Sequence, residues 1–261
     1  MRIQYNKKTT TRKKFKKTNN KKTTTRKKFK KTNNKNYRII GITVSVDFDD
    51  YLHETLPINK QFLNEMYIAT SKDDKKTKSV CKKNHVKCLS IDRTDPSFLK
   101  GVYINYAFDK IKESCWFLLI DADTVITKQM YRAIHSQELN NNCLYGSGQK
   151  YCNSYEEWLE YKNDQIVKKH WRYRHLAGMG CFQLFHSDMI YGPRKLRYRP
   201  FSIGQIHGPN GRWKGSDFWF ARQFRCNQRL RKTNVIHLTN GFKLGKNNHG
   251  RVTSRFQSFN S

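Results

Sequence analysis

Residues 115 to 120, CWFLLI, form an unbroken apolar run that ends directly on Asp121-Ala122-Asp123. A strand with one wet face alternates apolar and polar residues, so a run with no polar position is a strand covered on both faces, as in the middle of a parallel α/β sheet. The segments before it repeat the theme. RIIGITVSV (38 to 46) is β-branched and ends in the acidic cluster Asp47, Asp49 and Asp50, read as a polar loop; a helix is expected from about Leu56 to Phe62. EMYIATS (65 to 71) is a second strand closed by Lys72-Asp73-Asp74, and VKCLSI (86 to 91), after a basic helical stretch, is a third. Between Phe98 and Glu113, residues Val102, Ala107, Phe108 and Ile111 recur at near-helical spacing. Strands alternating with helices predict a Rossmann-like α/β fold, a mostly parallel central sheet flanked by helices.

Beyond Asp123 the pattern loosens. A helix is expected near Lys128 to Ser136, a strand around Leu144 to Gly148, an aromatic and charged helix from Tyr155 to Tyr173, and a buried strand at MGCFQLF (179 to 185). A Gly-, Pro- and Arg-rich stretch over 192 to 215 reads as loop, DFWFARQF (217 to 224) as a helix, and NVIHL (234 to 238) as a short last strand. A length of 261 residues suits one such domain and is too short for two large ones.

The charge is unevenly placed. Of 52 Lys and Arg, 16 lie in residues 1 to 36 with no acid among them, which leaves 36 against 20 acids in the remainder. The string KKTTTRKKFKKTNN occupies 7 to 20 and recurs unchanged at 21 to 34. With Phe15 and Phe29 as the large apolar residues of the two copies, such a segment cannot bury enough surface to offset its ordering entropy, so a disordered basic tail over 1 to 36 is expected before a domain over 37 to 261. A tail of this kind suits polyanions or an anionic membrane surface, and a solvated extension without a partner fits the composition as well.

Seven cysteines with no CxxC pair point away from a zinc or dithiol motif and toward reduced thiols. The chain shows neither the apolar core of a signal peptide nor a membrane-spanning run, and a soluble, cytoplasmic protein is expected.

The chemistry concentrates at Asp121 and Asp123. In open α/β sheets ligands bind off the carboxyl ends of strands, which puts both carboxylates in the ligand crevice. Hard oxygen donors hold Mg²⁺ or Mn²⁺, ions that bridge diphosphate oxygens and offset charge on a leaving nucleotide. Two acids in a loop are more often solvated or capping a helix, but their place after a long apolar strand favours the metal.

From about Ile40 to Leu238 the sequence resembles the GT-A glycosyltransferases, especially family-two-like members. ITVSV looks like the family's first nucleotide-binding strand, with Val44 and Ser45 at its end. The strand closing in Thr70-Ser71-Lys72-Asp73-Asp74 looks like the second, where an Asp contacts the base; Asp73 is the candidate, with Asp74 next to it. KGVYINYAF resembles the family's Lys-Gly and Asn-containing helix, bringing Lys100 or Asn105 near the diphosphate or ribose. LLIDADTVI resembles the DxD signature, which implies that Asp123 is the main metal ligand and that Asp121 assists or contacts the ribose.

Two later points extend the resemblance. Gly215-Ser216-Asp217 before FWFARQF is similar to the acidic motif whose carboxylate is the catalytic base of inverting members, although Ser216 stands where those members often have Glu. His237, at the end of the last strand, matches the place where several GT-A enzymes supply a histidine to the metal. On the residues alone, Asp73 also reads as a turn residue, Lys100 and Asn105 as ordinary helix residues, Asp217 as an N-cap and His237 as a structural histidine. The aromatic stretch from His170 to Phe182, with Trp213, Phe218 and Trp219, suits sugar stacking or plain packing.

The resemblance thus implies a metal-dependent, inverting transferase that moves a sugar from a nucleoside diphosphate to a hydroxyl. UDP is the nucleotide expected, being the commonest in the family, and residues 128 to 261 are expected to shape the acceptor side. A basic nucleic-acid-binding protein with an idle α/β domain would explain the charge but not the series of strand-end acids. A sugar nucleotidyltransferase would use such acids, but the Gly-rich, Lys-containing loop usual near its first strand is missing.

Overall fold

The computed structural model describes residues 35–92, 99–152, 154–167, 173–174, 180–199 and 216–238. Expectations for the basic repeat, for the stretch around His170, for Trp213 and for most of the loop over 192 to 215 lie outside these residues.

The first strand, β1 (Ile39–Val44), is buried at every position and leads into α1 (Asp49–Asn59), which continues as a 3₁₀ turn over Lys60–Phe62. The expected start near Leu56 is corrected here: Asp49 and Asp50 are the helix's first turn, where negative charge is favoured by the exposed amides and the helix dipole. Then come β2 (Glu65–Ser71), α2 (Lys75–Lys83), β3 (Lys87–Ile91), α3 (Lys100–Ile111) and β4 (Trp116–Ile120). A two-residue strand, β5 (Thr124–Val125), and α4 (Lys128–His135) follow, then β6 (Cys143–Cys152) and α5 (Tyr155–Asp164). α5 is shorter than the expected run to Tyr173 because Gln165 takes a left-handed conformation, φ 57°, that closes it. The described chain continues with β7 (Tyr173–Arg174), β8 (Phe182–His186), α6 (Asp188–Tyr191), α7 (Ser216–Arg222) and β9 (Cys226–Leu238).

The strands form one sheet in the order β3-β2-β1-β4-β8-β6-β9-β5, with β7 beside β6. β1, β2, β3 and β4 pair in parallel, as the alternating elements predicted. β4 is central, yet parallel on one side only, because β8 runs antiparallel along its other edge. An unbroken apolar run records burial on two faces and carries no information on a neighbour's direction. The two faces are visible in the packing: Phe117 and Leu119 join Tyr103, Phe108, Phe185 and Phe220 on the side of α3 and α7. Trp116, Leu118 and Ile120 join Leu52, Leu56, Val80 and Met130 on the side of α1, α2 and α4.

β9 starts eight residues before the expected NVIHL and pairs in parallel with β6, with a register shift between Gly146 and Gly148. That register sets Cys143 opposite Cys226, and the two are joined in a disulfide. The expectation of reduced thiols throughout is corrected at this pair; spacing in sequence gave no sign of two cysteines 83 residues apart on adjacent strands. Cys81, Cys88, Cys115, Cys152 and Cys181 keep their thiols.

Lys35, the first described residue, is tied to the end of α4 and the turn after it. Its N–H donates to His135 O at 3.0 Å and its ammonium meets Glu138 Oε1 at 2.9 Å. Among the described residues, no helix is long and apolar enough to cross a membrane.

Candidate active site

Asp121, Ala122 and Asp123 leave β4 in a turn fixed by its neighbours. The Asp121 N–H donates to Cys181 O (3.2 Å), the Thr55 hydroxyl to Ala122 O (2.7 Å), and the Leu238 N–H to Asp123 O (2.8 Å). β5 then pairs antiparallel with β9, Thr124 opposite His237. This register, set by backbone pairing, brings His237 Nε2 to 3.5 Å from Asp123 Oδ2. The Thr124 hydroxyl donates to Asp123 Oδ1 at 3.2 Å. Burial pushes the Asp123 carboxyl above its ordinary range; His237 pulls the other way and Asp121 adds to the rise.

Among the described residues, no three or more His, Cys, Asp or Glu side chains gather as a metal cluster. The groups that fit a divalent cation are a pair, Asp123 and His237. The nitrogen that faces Asp123 is Nε2; Nδ1, on the other side of the ring, is buried with no hydrogen-bond partner among the described residues. Mg²⁺ keeps several waters and takes phosphate oxygens alongside one or two carboxylates, so a pair is an adequate protein share. Imidazole suits Mn²⁺ better than Mg²⁺.

Asp121 faces a different partner. Lys100, the first residue of α3, places its ammonium 2.6 Å from Asp121 Oδ1 and 3.0 Å from Asp217 Oδ1, with the second Asp217 oxygen at 3.2 Å. Burial alone would lower this lysine's pKa, but the two carboxylates outweigh it and hold the ammonium charged, above the ordinary lysine range. Asp217 is the second residue of α7, and its carboxylate bonds Lys100 and the Tyr198 hydroxyl, 3.2 Å from Oδ1. Burial raises its pKa, opposed by Lys100 and reinforced by Asp121. The Tyr198 hydroxyl also lies against Gln183 Oε1, so its single proton is shared between two acceptors, while Gln183 Nε2 donates to the Asp217 carbonyl at 3.2 Å.

The helix read from KGVYINYAF explains how Tyr198 gets there. Asn105 donates through Nδ2 to Tyr198 O (2.8 Å) and accepts from the Tyr198 N–H at Oδ1 (3.0 Å). A Cβ at Gly101 would stand 2.5 Å from Arg199 O, so only glycine lets this segment approach α3 so closely. The Asn105 amide is therefore spent on backbone, and Lys100 is the residue of this helix that reaches the acids.

The remaining candidates stand at the ends of β1 and β2. Val44 is buried, and Ser45, also buried, donates its N–H to Ala69 O (3.0 Å) while its hydroxyl lies 3.4 Å from that of Thr77. Asp74 caps α2, accepting from the Thr77 N–H (3.0 Å), the Asp47 N–H (2.9 Å) and the Thr70 hydroxyl (3.1 Å). Asp73, beside it, is exposed in the same turn. Asp74 thus ties the loops after β1 and β2 together and leaves Asp73 facing outward. Trp219 carries the Arg199 and Arg222 guanidinium groups at 4.7 and 5.4 Å from its ring centre, so cations already occupy part of the surface expected for sugar stacking.

Sequence reasoning passed over Tyr198 and Gln183. Gln183 had a signal, an amide inside the apolar strand MGCFQLF, where a fully buried polar side chain needs a partner. Tyr198 had none, since its role follows from the loop's path across α3.

No family model matches the chain, and no curated protein matches it in sequence. Among solved structures, the chain is similar to S. aureus TarS residues 1–349, at a TM-score of 0.52 and 12% identity, over 77% of this chain and 60% of that one. The same fragment in complex with UDP gives 0.50 at 12% identity over the same shares. Glucosyl-3-phosphoglycerate synthase from Mycobacterium tuberculosis, in complex with Mn²⁺, UDP and phosphoglyceric acid, gives 0.46 at 9% identity over 78% and 69%. The chain spans less than two thirds of the TarS structure it matches. The likeness to the TarS fragment is one of fold, and the fold is of the GT-A type.

Proposed function

We propose that this chain is a glycosyltransferase that moves a sugar from a nucleoside diphosphate, UDP first among them, to an acceptor hydroxyl with inversion. The observation that carries this reading is the convergence of Lys100, Asp121 and Asp217 beside the Asp123–His237 pair at the carboxyl end of β4. The UDP complex of the similar TarS fragment supports the nucleotide.

In this reading Asp217 takes the proton of the acceptor hydroxyl as its oxygen attacks the anomeric carbon and the bond to the diphosphate breaks. The environment that raises the carboxyl's proton affinity suits that task. Tyr198 and Lys100 hold the carboxylate in place, and Lys100 also offers positive charge where the diphosphate would lie. Mn²⁺ or Mg²⁺ held by Asp123 and His237, with Asp121 assisting, would neutralise charge on the leaving nucleotide. Val44 and Ser45 would shape the nucleotide end of the site from the end of β1, and Asp73 would contact the base.

A panel of UDP-, GDP- and dTDP-sugars with Mn²⁺ tests the reading. UDP-sugars should raise the melting temperature and be hydrolysed slowly, with water standing in for the acceptor. A protein indifferent to all three nucleotides would not be a nucleotide-sugar enzyme.

The basic tail is proposed to bind polyanions or anionic membrane. Because Lys35 is tied to His135 and Glu138, the deletion that tests this ends at residue 34. Melting temperature and donor hydrolysis should stay nearly unchanged. Binding to heparin or anionic vesicles should weaken, most at low salt, through lost counterion release and screened attraction. Loss of the folded state on deletion would make the tail structural.

A further inference from the structure

Lys100 touches two acids to which the proposed reaction gives different tasks. Asp121 belongs to the donor side and Asp217 is the base. One ammonium, 2.6 Å from the first and 3.0 Å from the second, serves both. An ammonium set against both oxygens holds a carboxylate in place and opposes its taking a proton, so Asp217 is a weaker base with Lys100 on it than without. Asp217 in this arrangement is formed but restrained.

The lysine also has the longest side chain of the set. It is a point charge on a flexible four-carbon stem with three rotatable donors, whereas Asp217 is further held by Tyr198. A nucleoside diphosphate arriving beside Asp121 brings several negative charges into reach of this ammonium. Turning toward the diphosphate keeps Lys100 beside Asp121 and takes it from Asp217.

We infer that Lys100 is a positioning residue that couples donor binding to release of the base, keeping Asp217 paired until a nucleoside diphosphate claims the ammonium. This rests on the function proposed above and adds to it an order of events: donor first, then a competent base.

Coupling is reciprocal: if the donor must pull Lys100 off Asp217, then removing that competitor strengthens donor binding. Asp217→Asn should therefore tighten UDP, titrated calorimetrically in buffer containing Mn²⁺, by roughly fivefold or more, the lower end of ordinary coupling between sites. Removing a negative charge would favour an anion in any case, so the same substitution is made in a Lys100→Met background. There the gain should all but vanish. Equal tightening in both backgrounds means a simple field effect and overturns the coupling, as does unchanged affinity in the parent background.

If Lys100→Met loses UDP binding altogether, the ¹³C carboxyl resonance of Asp217 decides, assigned by its disappearance in Asp217→Asn. A shift on saturation with UDP upholds the release, and an unmoved resonance overturns it. If Asp217→Asn fails to fold, Asp217→Ala takes its place in the cycle. Failure of the unaltered protein to bind any nucleoside diphosphate is a separate result and would remove the proposed function along with the coupling.

Discussion

Asp217→Asn is expected to lower donor turnover by a factor of roughly 10² or more, since a positioned general base contributes about 10² to 10⁴ in rate. Donor binding should not weaken. The substitution preserves shape, and the amide oxygen can still accept from Lys100 and Tyr198, the partners that hold the carboxylate now. What it removes is a group able to take a proton. The measurement is the initial rate of UDP-sugar hydrolysis at saturating donor, with UDP affinity from calorimetry on the same preparation. A rate that falls while affinity holds or rises marks a loss in the chemical step; a fall in both would mean that the site had been disturbed. Asn is also a good helix cap, so a merely capping Asp217 would tolerate the change. A near-normal rate with unchanged affinity would take Asp217 out of the mechanism and leave inversion without support.

The parallel half of the fold was legible in sequence because each of its strands is a short, self-contained pattern. β1, β2 and β4 fall within a residue or two of the runs RIIGITVSV, EMYIATS and CWFLLI. The acids at 121 and 123 could be placed at a strand end for the same reason. The second half depends on partners distant in sequence. β9 extends back to Cys226 because β6 offers it a ladder, and β8 lies antiparallel to β4 although both read only as buried. The left-handed Gln165 that ends α5 lies between residues that would otherwise continue a helix.

The candidate site divides along the same line. Asp121 and Asp123 are local and readable. The contact of His237 with Asp123 depends on the pairing of β5 with β9, and that of Lys100 with Asp217 on two helices 117 residues apart in sequence. Asn105 shows the limit from the other side. Its motif was recognised with the correct helix, but its amide holds the backbone of Tyr198 and so acts on the site at one remove.

Asp123→Ala is expected to abolish the metal dependence of donor binding and leave the fold intact. The stability argument comes first. Burial raises the Asp123 pKa, so the fold disfavours its carboxylate relative to the unfolded chain, and at neutral pH its removal relieves a cost. The hydrogen bond given up is one from the neighbouring Thr124 hydroxyl, while the Leu238 N–H bonds the Asp123 backbone carbonyl, which alanine retains. The melting temperature should thus hold or rise slightly. The binding argument runs the other way. With Asp123 lost, His237 and the assisting Asp121 remain, and the charge of Asp121 is already paired with Lys100, so little is left to hold a divalent cation. Substitutions that merely support a metal ligand cost about 10- to 100-fold in metal affinity, and loss of a ligand itself should cost no less. Titration of the variant with UDP, with and without Mn²⁺, should give two superimposable weak isotherms where the parent gives one strong and one weak. A variant that keeps the parent's affinity and its response to Mn²⁺ would show that the cation, if the protein uses one, is held elsewhere than at Asp123 and His237.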